Sequence, residues 1–199
     1  MKNKGMKIFV RAFFKVLSKI IFNVKVIGEK HIPMEGPYIL CSNHRTMADV
    51  PLIAGLTKGK RWIYFMAKKE FFSIPFVGWF FRKMSAFPVD RGKADIVSIR
   101  TAVRYLQNNK VVGIFPQGTR DTNEDELPGR KGPALLAAMT EAPILPVLIE
   151  GTFKFRKTIK IYVGKPFDLG MKKKVKYAKE EYYNKSQEIM KKIYSLSEV

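Results

Sequence analysis

The sequence predicts a single α/β domain with a largely parallel central sheet flanked by helices. Short apolar runs, each the length of a buried strand, recur along the chain and alternate with stretches of helical periodicity. The predicted strands are Tyr38–Cys41, Trp62–Met66, Val111–Phe115 and Ile144–Ile149, and the predicted helices between them are Asp49–Leu56, Ala94–Leu106 and Pro133–Met139. Such alternation is typical of parallel strands joined by helical crossovers. A length of 199 residues with 46% hydrophobic content fits one folded unit.

Two further elements are predicted in the last third of the chain. Ile159–Val163 has the composition of another strand. Beyond Lys172–Lys174, the residues Tyr182, Ile189 and Ile193 recur at the spacing of a helix that buries one face, with lysines elsewhere. We therefore expect a C-terminal helix that packs on the domain.

Residues 1–22 predict an amphipathic basic helix that precedes the folded domain of residues 23–199. Its cations recur every three or four residues and would share one face, while its apolar side chains would occupy the other. The cations are Lys4, Lys7, Arg11, Lys15 and Lys19, and the apolar residues are Ile8, Phe9, Phe13, Val16, Leu17 and Ile20. The pattern is typical of a helix that lies in a membrane interface. It is also compatible with a surface helix that packs on the core of the domain. We favour the membrane interface because the apolar arc is wide and aromatic and every charge is positive.

The charge balance indicates an anionic partner. Lys and Arg number 37 against 17 Asp and Glu, a formal net charge of +20, which leaves nucleic acid, anionic lipid and acidic protein as partner classes. The one cysteine, Cys41, excludes an internal disulfide and suits a reducing compartment. The uncharged stretch Phe71–Phe81 covers only about half of the roughly 20 residues that a spanning helix needs. The aromatic bulk within Phe65–Phe87 suits lipid contact, the floor of an acyl channel or plain core packing.

A histidine and an aspartate follow the first predicted strand. Tyr38–Cys41 runs into a turn that carries His44, and Asp49 begins the next helix, which is where α/β folds place active sites. A neutral imidazole can take a proton from an attacking hydroxyl, while a carboxylate on its other nitrogen orients the ring and stabilises the imidazolium. The same pair would also suit a turn and a helix N-cap. Cys41 and Ser42 are weaker candidates for a nucleophile, because no glycines flank them to form a sharp elbow.

Four short blocks occur in order along the chain. The first has His44 and Asp49 separated by four residues, and the second has Lys68, Gly78 and Arg91, with Phe71 in place of a leucine. The third block reads Phe115-Pro116-Gln117-Gly118-Thr119-Arg120, and the fourth is the proline-bracketed run Ala142-Pro143-Ile144-Leu145-Pro146-Val147. Four ordered blocks are far more specific than any one motif. In these blocks, and over most of its length, the chain resembles the glycerolipid acyltransferases.

The resemblance implies an acyl transfer from a thioester of acyl carrier protein or coenzyme A to the sn-2 hydroxyl of 1-acylglycerol 3-phosphate, which forms phosphatidic acid. His44 would act as the base with Asp49 as its partner, and neither a metal nor another cofactor is implied. The residues implied to bind the substrate or its phosphate are Lys68, Arg91, Gln117, Gly118, Thr119 and Arg120. Residues 23–199 would form the acyltransferase domain, acting at the cytoplasmic face of the cell membrane on a lysophospholipid acceptor.

Several of these binding residues also have a physical rationale. An arginine presents a rigid fork of donors to phosphate oxygens, so Arg91 and Arg120 could clamp a phosphomonoester while Lys68 adds a point charge. Gly118 would let backbone N–H groups approach an anion. Gln117 departs from the family, whose glutamate here is implicated in acceptor binding, so glycerol 3-phosphate or another lysophospholipid stays open as acceptor. A nucleic-acid-binding module is a remote alternative, since no familiar nucleic-acid motif appears, and we expect no nucleic-acid partner.

Overall fold

The fold is that of a computed structural model, which describes residues 4–56, 61–90, 95–118 and 129–198. In these ranges the strands are β1 (Asn23–Ile27), β2 (Tyr38–Ser42), β3 (Ile63–Lys68), β4 (Phe87–Val89), β5 (Val111–Ile114), β6 (Ile144–Gly151) and β7 (Thr158–Val163). The α-helices are α1 (Lys4–Ile21), α2 (Asp49–Ala54), α3 (Val77–Lys83), α4 (Ile96–Gln107), α5 (Gly132–Thr140) and α6 (Lys179–Tyr194). Short 3-10 helices cover Glu29–His31, Lys69–Phe72 and Ser195–Ser197.

The strands form one sheet in the order β1-β7-β6-β2-β5-β3-β4. Neighbouring strands run parallel except β6 and β7, which are antiparallel. The prediction of an α/β domain with a largely parallel sheet is therefore confirmed. β2 and β5 are central neighbours, with Leu40 in register with Gly113. A would-be Cβ at Gly113 would lie 2.6 Å from side-chain atoms of Ile63 and Phe65, so β3 packs closely against this point.

The core lies on both faces of the sheet, and alternate residues of β2 belong to opposite faces. Ile39 and Cys41 join the cluster that includes buried side chains of α4, α5 and α6. Tyr38 and Leu40 join the other cluster, which includes Leu52 and Ile53 of α2. Because a parallel strand covered on both faces has no polar side, it reads in the sequence as an unbroken apolar run. This explains why the central strands are visible in the sequence.

The two edge strands, β1 and β4, are not predicted from the sequence. β1 is largely exposed and carries Asn23 and Lys25, and β4 has only three residues, one of which is Pro88. An edge strand buries less of its surface and pairs on one side, so it lacks the apolar run that marks a central strand. The predicted C-terminal helix is confirmed as α6, which buries Ile189 and Ile193.

Helix α1 exposes part of its apolar surface to solvent, while its half-buried side carries apolar residues such as Phe14 and Leu17 together with Lys7. Four of the exposed apolar residues, here called the apolar stripe, are Phe9, Phe13, Val16 and Ile20. Lys7 instead points to the domain, with its ammonium 5.4 Å and 5.1 Å from the ring centroids of Trp62 and Tyr64. Burial, and then the charge of Lys110, lower the pKa of Lys7. Over the described ranges, no helix combines the length and apolar character that crossing a membrane requires.

Candidate active site

The candidate site lies at the carboxyl edge of the sheet, where β2 and β5 end side by side. His44 comes two residues after β2, and Phe115 directly follows β5. Because these strands are parallel neighbours, the loops that leave them meet at one edge. The first and third sequence blocks are thereby brought together.

His44 and Asp49 are in direct contact. Nδ1 of His44 lies 2.8 Å from Oδ2 of Asp49, and the Asp49 side chain is fully buried. A carboxylate at Nδ1 selects the tautomer in which Nδ1 carries the proton and Nε2 keeps a lone pair. The pair is therefore arranged to accept a proton at Nε2.

The turn before α2 holds the Asp49 carboxylate in place. The backbone N–H groups of Arg45 and Thr46 donate to Oδ2 at 2.6 Å and 2.7 Å, and the Thr46 hydroxyl donates to Oδ1 at 3.3 Å. These donors compensate for the water that a buried carboxylate loses. The N-cap of α2 is Ala48, so the N-cap interpretation of Asp49 is wrong. Its carboxylate is directed back towards His44.

Asn43 extends the sheet with its side chain and so fixes where the turn begins. Its Nδ2 donates to the carbonyl of Ile149 at 2.9 Å, and its Oδ1 accepts from the N–H of Ile149 at 2.8 Å. The side-chain amide thus takes the place of the next strand residue beside β6. The backbone after Ser42 can then leave the sheet and carry His44 into the loop.

The imidazole of His44 is further restrained by an aromatic stack. Its centroid lies 4.0 Å from that of Phe115, with the ring planes 19° apart. Phe115 in turn stacks with Phe65 of β3 at 6.1 Å. Within the part of the chain that the structure describes, Nε2 has no hydrogen-bond partner, and the His44 side chain is 7% exposed. This nitrogen is the one available to a substrate hydroxyl.

Gln117 is buried against the His44 loop and is only 4% exposed. Its Oε1 accepts a hydrogen bond from the backbone N–H of His44 at 3.0 Å, and its Nε2 donates to the hydroxyl of Tyr194 at 3.0 Å. Both ends of the amide are therefore bonded to the protein. The side chain of Gln117 thus points into the protein, between the loop that carries His44 and the end of α6.

Gly118 adopts a left-handed backbone conformation, with φ +70°, and its N–H donates to the carbonyl of Phe115 at 2.9 Å. A Cβ at this position would lie 2.7 Å from side-chain atoms of Arg130. The Arg130 side chain is flexible and can move, so it is the left-handed backbone conformation that favours glycine here. The third block therefore leaves β5 through a tight turn.

The other predicted binding residues are only partly covered by the structure. Lys68 is the last residue of β3 and is in register with Val89 of β4. Its side chain is about half exposed, and its Nζ lies 3.7 Å from Oε1 of Glu70. It is at the same carboxyl edge as His44, because β3 is parallel to β5. Arg91 lies outside the described residues. So do Thr119 and Arg120.

The nucleophile candidates beside His44 are not arranged for attack. Cys41 is fully buried, and burial raises the pKa of its thiol well above the ordinary range, so the reactive thiolate is disfavoured. The Ser42 hydroxyl lies 3.4 Å from Oδ1 of Asn43. Among the residues with described positions, no group of three His, Cys, Asp or Glu residues is placed to hold a metal ion.

Sequence reasoning missed two residues of this site, the stacking ring of Phe115 and the hydroxyl of Tyr194. Phe115 was visible only as the end of a predicted strand, and its motif position gives no hint of a stack on His44. Tyr194 is 77 residues from its partner Gln117, and no local pattern signals such a contact. Asn43 directly precedes His44 in the sequence, but its bonds to Ile149 follow only from the pairing of β2 with β6.

A family model and the similar known proteins described here are all acyltransferases. The family model described as Acyltransferase matches residues 23–150. The 1-acyl-sn-glycerol-3-phosphate acyltransferase of Bacillus subtilis is 34% identical over 157 residues, which cover 76% of this chain and 77% of that protein. The protein of the same name from Streptococcus pneumoniae is 34% identical over 144 residues, 69% of this chain and 53% of that protein.

A solved structure also resembles the chain. The crystal structure of the 1-acyl-sn-glycerophosphate acyltransferase of Thermotoga maritima aligns with a TM-score of 0.74 and 23% sequence identity, covering 99% of this chain and 84% of that one. This likeness supports the fold. The match of the family model over most of the sheet, together with the identity to the Bacillus subtilis protein, shows that the chain belongs to the acyltransferase family.

Proposed function

We propose that this protein transfers a fatty acyl group from a thioester of acyl carrier protein or coenzyme A to the sn-2 hydroxyl of 1-acylglycerol 3-phosphate. The product is phosphatidic acid, a precursor in phospholipid biosynthesis. The observation that carries the proposal is the buried pair of His44 and Asp49, with Nε2 left for a substrate. The names of the Bacillus subtilis and Streptococcus pneumoniae relatives support this choice of acceptor.

In the proposed mechanism His44 is the general base. Nε2 takes the proton of the acceptor hydroxyl while the hydroxyl oxygen attacks the thioester carbonyl, and the C–S bond of the tetrahedral intermediate then breaks. The leaving thiolate takes the proton back from the imidazolium, which the Asp49 carboxylate stabilises in between. Because the thioester is already activated, no protein nucleophile is needed. A base of this kind contributes about 10²- to 10⁴-fold to the rate.

The acceptor is bound through its phosphate in this proposal. Lys68 offers a half-exposed ammonium at the same sheet edge as His44. Arg91 and Arg120, implied by the family blocks to bind phosphate, would add bidentate contacts. Several cations facing one phosphate would fix the distance between the phosphate and the reacting hydroxyl, which is what orientation by binding requires.

We further propose that the protein associates with an anionic membrane at the cytoplasmic face of the cell membrane. The apolar stripe of α1 is exposed, and Lys15 and Lys19 are exposed beside it. A second exposed group consists of Ile74, Phe76, Val77 and Trp79, in which Phe76 is 85% exposed. Aromatic and aliphatic side chains together with lysines are typical of interfacial attachment. The reduced Cys41 and a thioester donor both suit the cytoplasmic side.

The backbone at Phe76 supports a role for this second group. Phe76 has φ +56° and ψ −51°, and the N–H of Val77 reaches back to the carbonyl of Pro75 at 2.5 Å. A positive φ is costly for a bulky residue, about 1–3 kcal/mol, and tends to persist where it serves a function. Here it places an aromatic ring in solvent, where it would be available to lipid.

The activity is tested with purified protein, an acyl thioester and a panel of acceptors. Release of thiol and formation of phosphatidic acid are expected with 1-acylglycerol 3-phosphate. A His44→Ala variant should lose about 10²- to 10⁴-fold in kcat. The chain's other histidine, His31, lies in the 3-10 helix Glu29–His31 and bonds the carbonyl of Val163 at the end of β7. His31→Ala is therefore the matched control and should keep its activity.

The results separate the alternatives directly. Preference for glycerol 3-phosphate or another lysophospholipid would reject the proposed acceptor while keeping the reaction class. Full activity of His44→Ala would reject the assignment of the base.

A further inference from the structure

A chain of hydrogen bonds connects the C-terminal helix α6 with the backbone of His44. The N–H of His44 donates to Oε1 of Gln117 at 3.0 Å, and Nε2 of Gln117 donates to the hydroxyl of Tyr194 at 3.0 Å. Gln117 and Tyr194 are here called the amide bridge. The bridge joins the loop after β2, the loop after β5 and the end of α6.

The bridge satisfies a buried donor that has no other described partner. Residue His44 as a whole is 5% exposed and Gln117 is 4% exposed. A buried N–H without an acceptor is destabilising, so the His44 N–H favours a loop position in which Oε1 of Gln117 is within reach. The position of the histidine backbone therefore depends on Gln117.

Gln117 completes the restraint of His44 from three directions. Asp49 fixes Nδ1, Phe115 packs on the ring face, and Gln117 fixes the backbone N–H. The first two contacts hold the imidazole ring, and the bonds of Asn43 to Ile149 hold the start of the loop. The third holds the backbone N–H of His44 itself, and a displacement of about 1 Å is enough to slow a reaction substantially.

The other end of the bridge has a rigid support. Tyr194 is the last residue of α6, and the preceding residues Ile189 and Ile193 are fully buried in the core. The amide of Gln117 is thus held at both ends. Tyr194 lies outside residues 23–150, the range that the family model matches, so a segment beyond that range takes part in forming the site.

We propose that Gln117 and Tyr194 are positioning residues that hold the His44 loop for catalysis, and that Gln117 does not bind the acceptor. The inference rests on the proposed acyl transfer. An amide suits this role because it accepts at one end and donates at the other. A glutamate would accept the same bond from His44, with the Tyr194 hydroxyl turning from acceptor to donor.

The first test separates positioning from acceptor binding. In Gln117→Leu the kcat should fall about tenfold, with the acceptor KM changed less than about twofold, since loss of orientation acts on the transition state. Gln117→Glu should restore kcat to within about threefold of the unsubstituted protein. A large rise in acceptor KM at unchanged kcat would overturn the proposal in favour of acceptor binding.

The second test concerns the connection to α6. Tyr194→Phe should lower kcat by a few-fold, and it should have no further effect in the Gln117→Leu background, because the two residues act through one contact chain. Tyr177→Phe is the matched control. Its hydroxyl also accepts one hydrogen bond, from the N–H of Lys172, and its loss should leave kcat unchanged. Fully additive effects of the two bridge variants would overturn the role of Tyr194.

A readout independent of activity keeps this inference separate from the proposed function. Hydrogen exchange of the His44 amide, followed by NMR, should be about tenfold faster or more in Gln117→Leu, and faster to a smaller degree in Tyr194→Phe. Unchanged exchange in both variants would overturn the bridge even if the protein is active. Absence of acyl transfer in the unsubstituted protein would instead reject the proposed function, while the exchange measurement would still test the bridge.

Discussion

At the scale of single residues, Asp49 both shapes the turn before α2 and orients the imidazole of His44. Its Oδ2 receives the N–H groups of Arg45 and Thr46 as well as Nδ1 of His44. In Asp49→Asn the amide oxygen can keep all of these bonds, whereas the charge that stabilises the imidazolium is lost. We expect kcat to fall by about 10²-fold or more with the fold retained.

The control for this substitution is Asp168→Asn. Asp168 also accepts a backbone hydrogen bond, from the N–H of Gly170 at 2.7 Å, but it does so at the surface. Steady-state kinetics and circular dichroism of the two variants give the comparison. An Asp49→Asn protein with normal kcat would show that the negative charge has no part in the reaction.

Cys41 is expected to be dispensable for activity. It is fully buried in the core and its thiol pKa is raised by that burial. Cys41→Ala should therefore keep kcat and lower only the stability, by roughly 1–2 kcal/mol as for other losses of a small buried side chain. The native protein should also react slowly with a thiol reagent and rapidly in urea. Loss of activity at intact fold would reopen the question of a cysteine nucleophile.

At the scale of elements, α4 depends on the cap supplied by Asp95. Hydrogen bonds from the N–H of Asp90 and then of Ser98 lower the pKa of Asp95 below its ordinary 3.8. A lowered pKa means that the carboxylate stabilises the fold at neutral pH and that this stabilisation is lost as the pH falls below 3.8. Asp95→Ala should lower the free energy of unfolding by about 1 kcal/mol at pH 7.

The pH dependence supplies the check on this cap. Urea titrations of the unsubstituted protein and of Asp95→Ala give the free energy of unfolding of each at pH 7 and near pH 3. The difference between the two free energies should be smaller at the acidic pH. A difference that is constant across this range would mean that the charge of Asp95 does not carry the effect.

Helix α1 allows a matched test of the membrane proposal. Phe9 and Phe13 lie on the apolar stripe, so replacing both with glutamine removes exposed apolar area without opening the core. Ile96 and Val97 of α4 are also highly exposed, and their double glutamine variant is the control. The vesicle binding constant from sedimentation should fall by about 10²-fold or more for the α1 variant alone, because each buried apolar side chain contributes about 1.5–3 kcal/mol. Equal losses in both variants would argue against a specific role for α1.

At the scale of the whole molecule, the formal charge of +20 should govern the choice of lipid surface. Vesicles rich in phosphatidylglycerol are expected to bind far more protein than vesicles of phosphatidylcholine at low salt. The Debye length falls from about 10 Å at 0.1 M to about 3 Å at 1 M salt, so this preference should largely vanish at the higher concentration. If the amount of bound protein depended on neither the lipid charge nor the salt concentration, the attachment would be apolar only.

The whole fold also shows what kind of information the sequence lacks. Strands β2, β5 and β6 were predictable because each is buried on both faces over most of its length and reads as an apolar run, as in Tyr38–Ser42. The edge strands β1 and β4 were not, since they meet one neighbour each and carry polar residues or proline. The amphipathic character of α1 was predictable from spacing. Which of its sides faces the domain follows only from the packing of the folded chain, in which Lys7 contacts Trp62 and Tyr64.

The sequence by itself determined the alternation of strands and helices and the closeness of His44 to Asp49, because both are local properties of spacing along one strand and one turn. Only the tertiary structure decided that Gln117 is buried, that Asn43 bonds Ile149, and that Tyr194 reaches the site. Those contacts depend on which strands become neighbours in the sheet. The order of the strands is set by burial summed over the whole chain, so it cannot be inferred from any short stretch of residues.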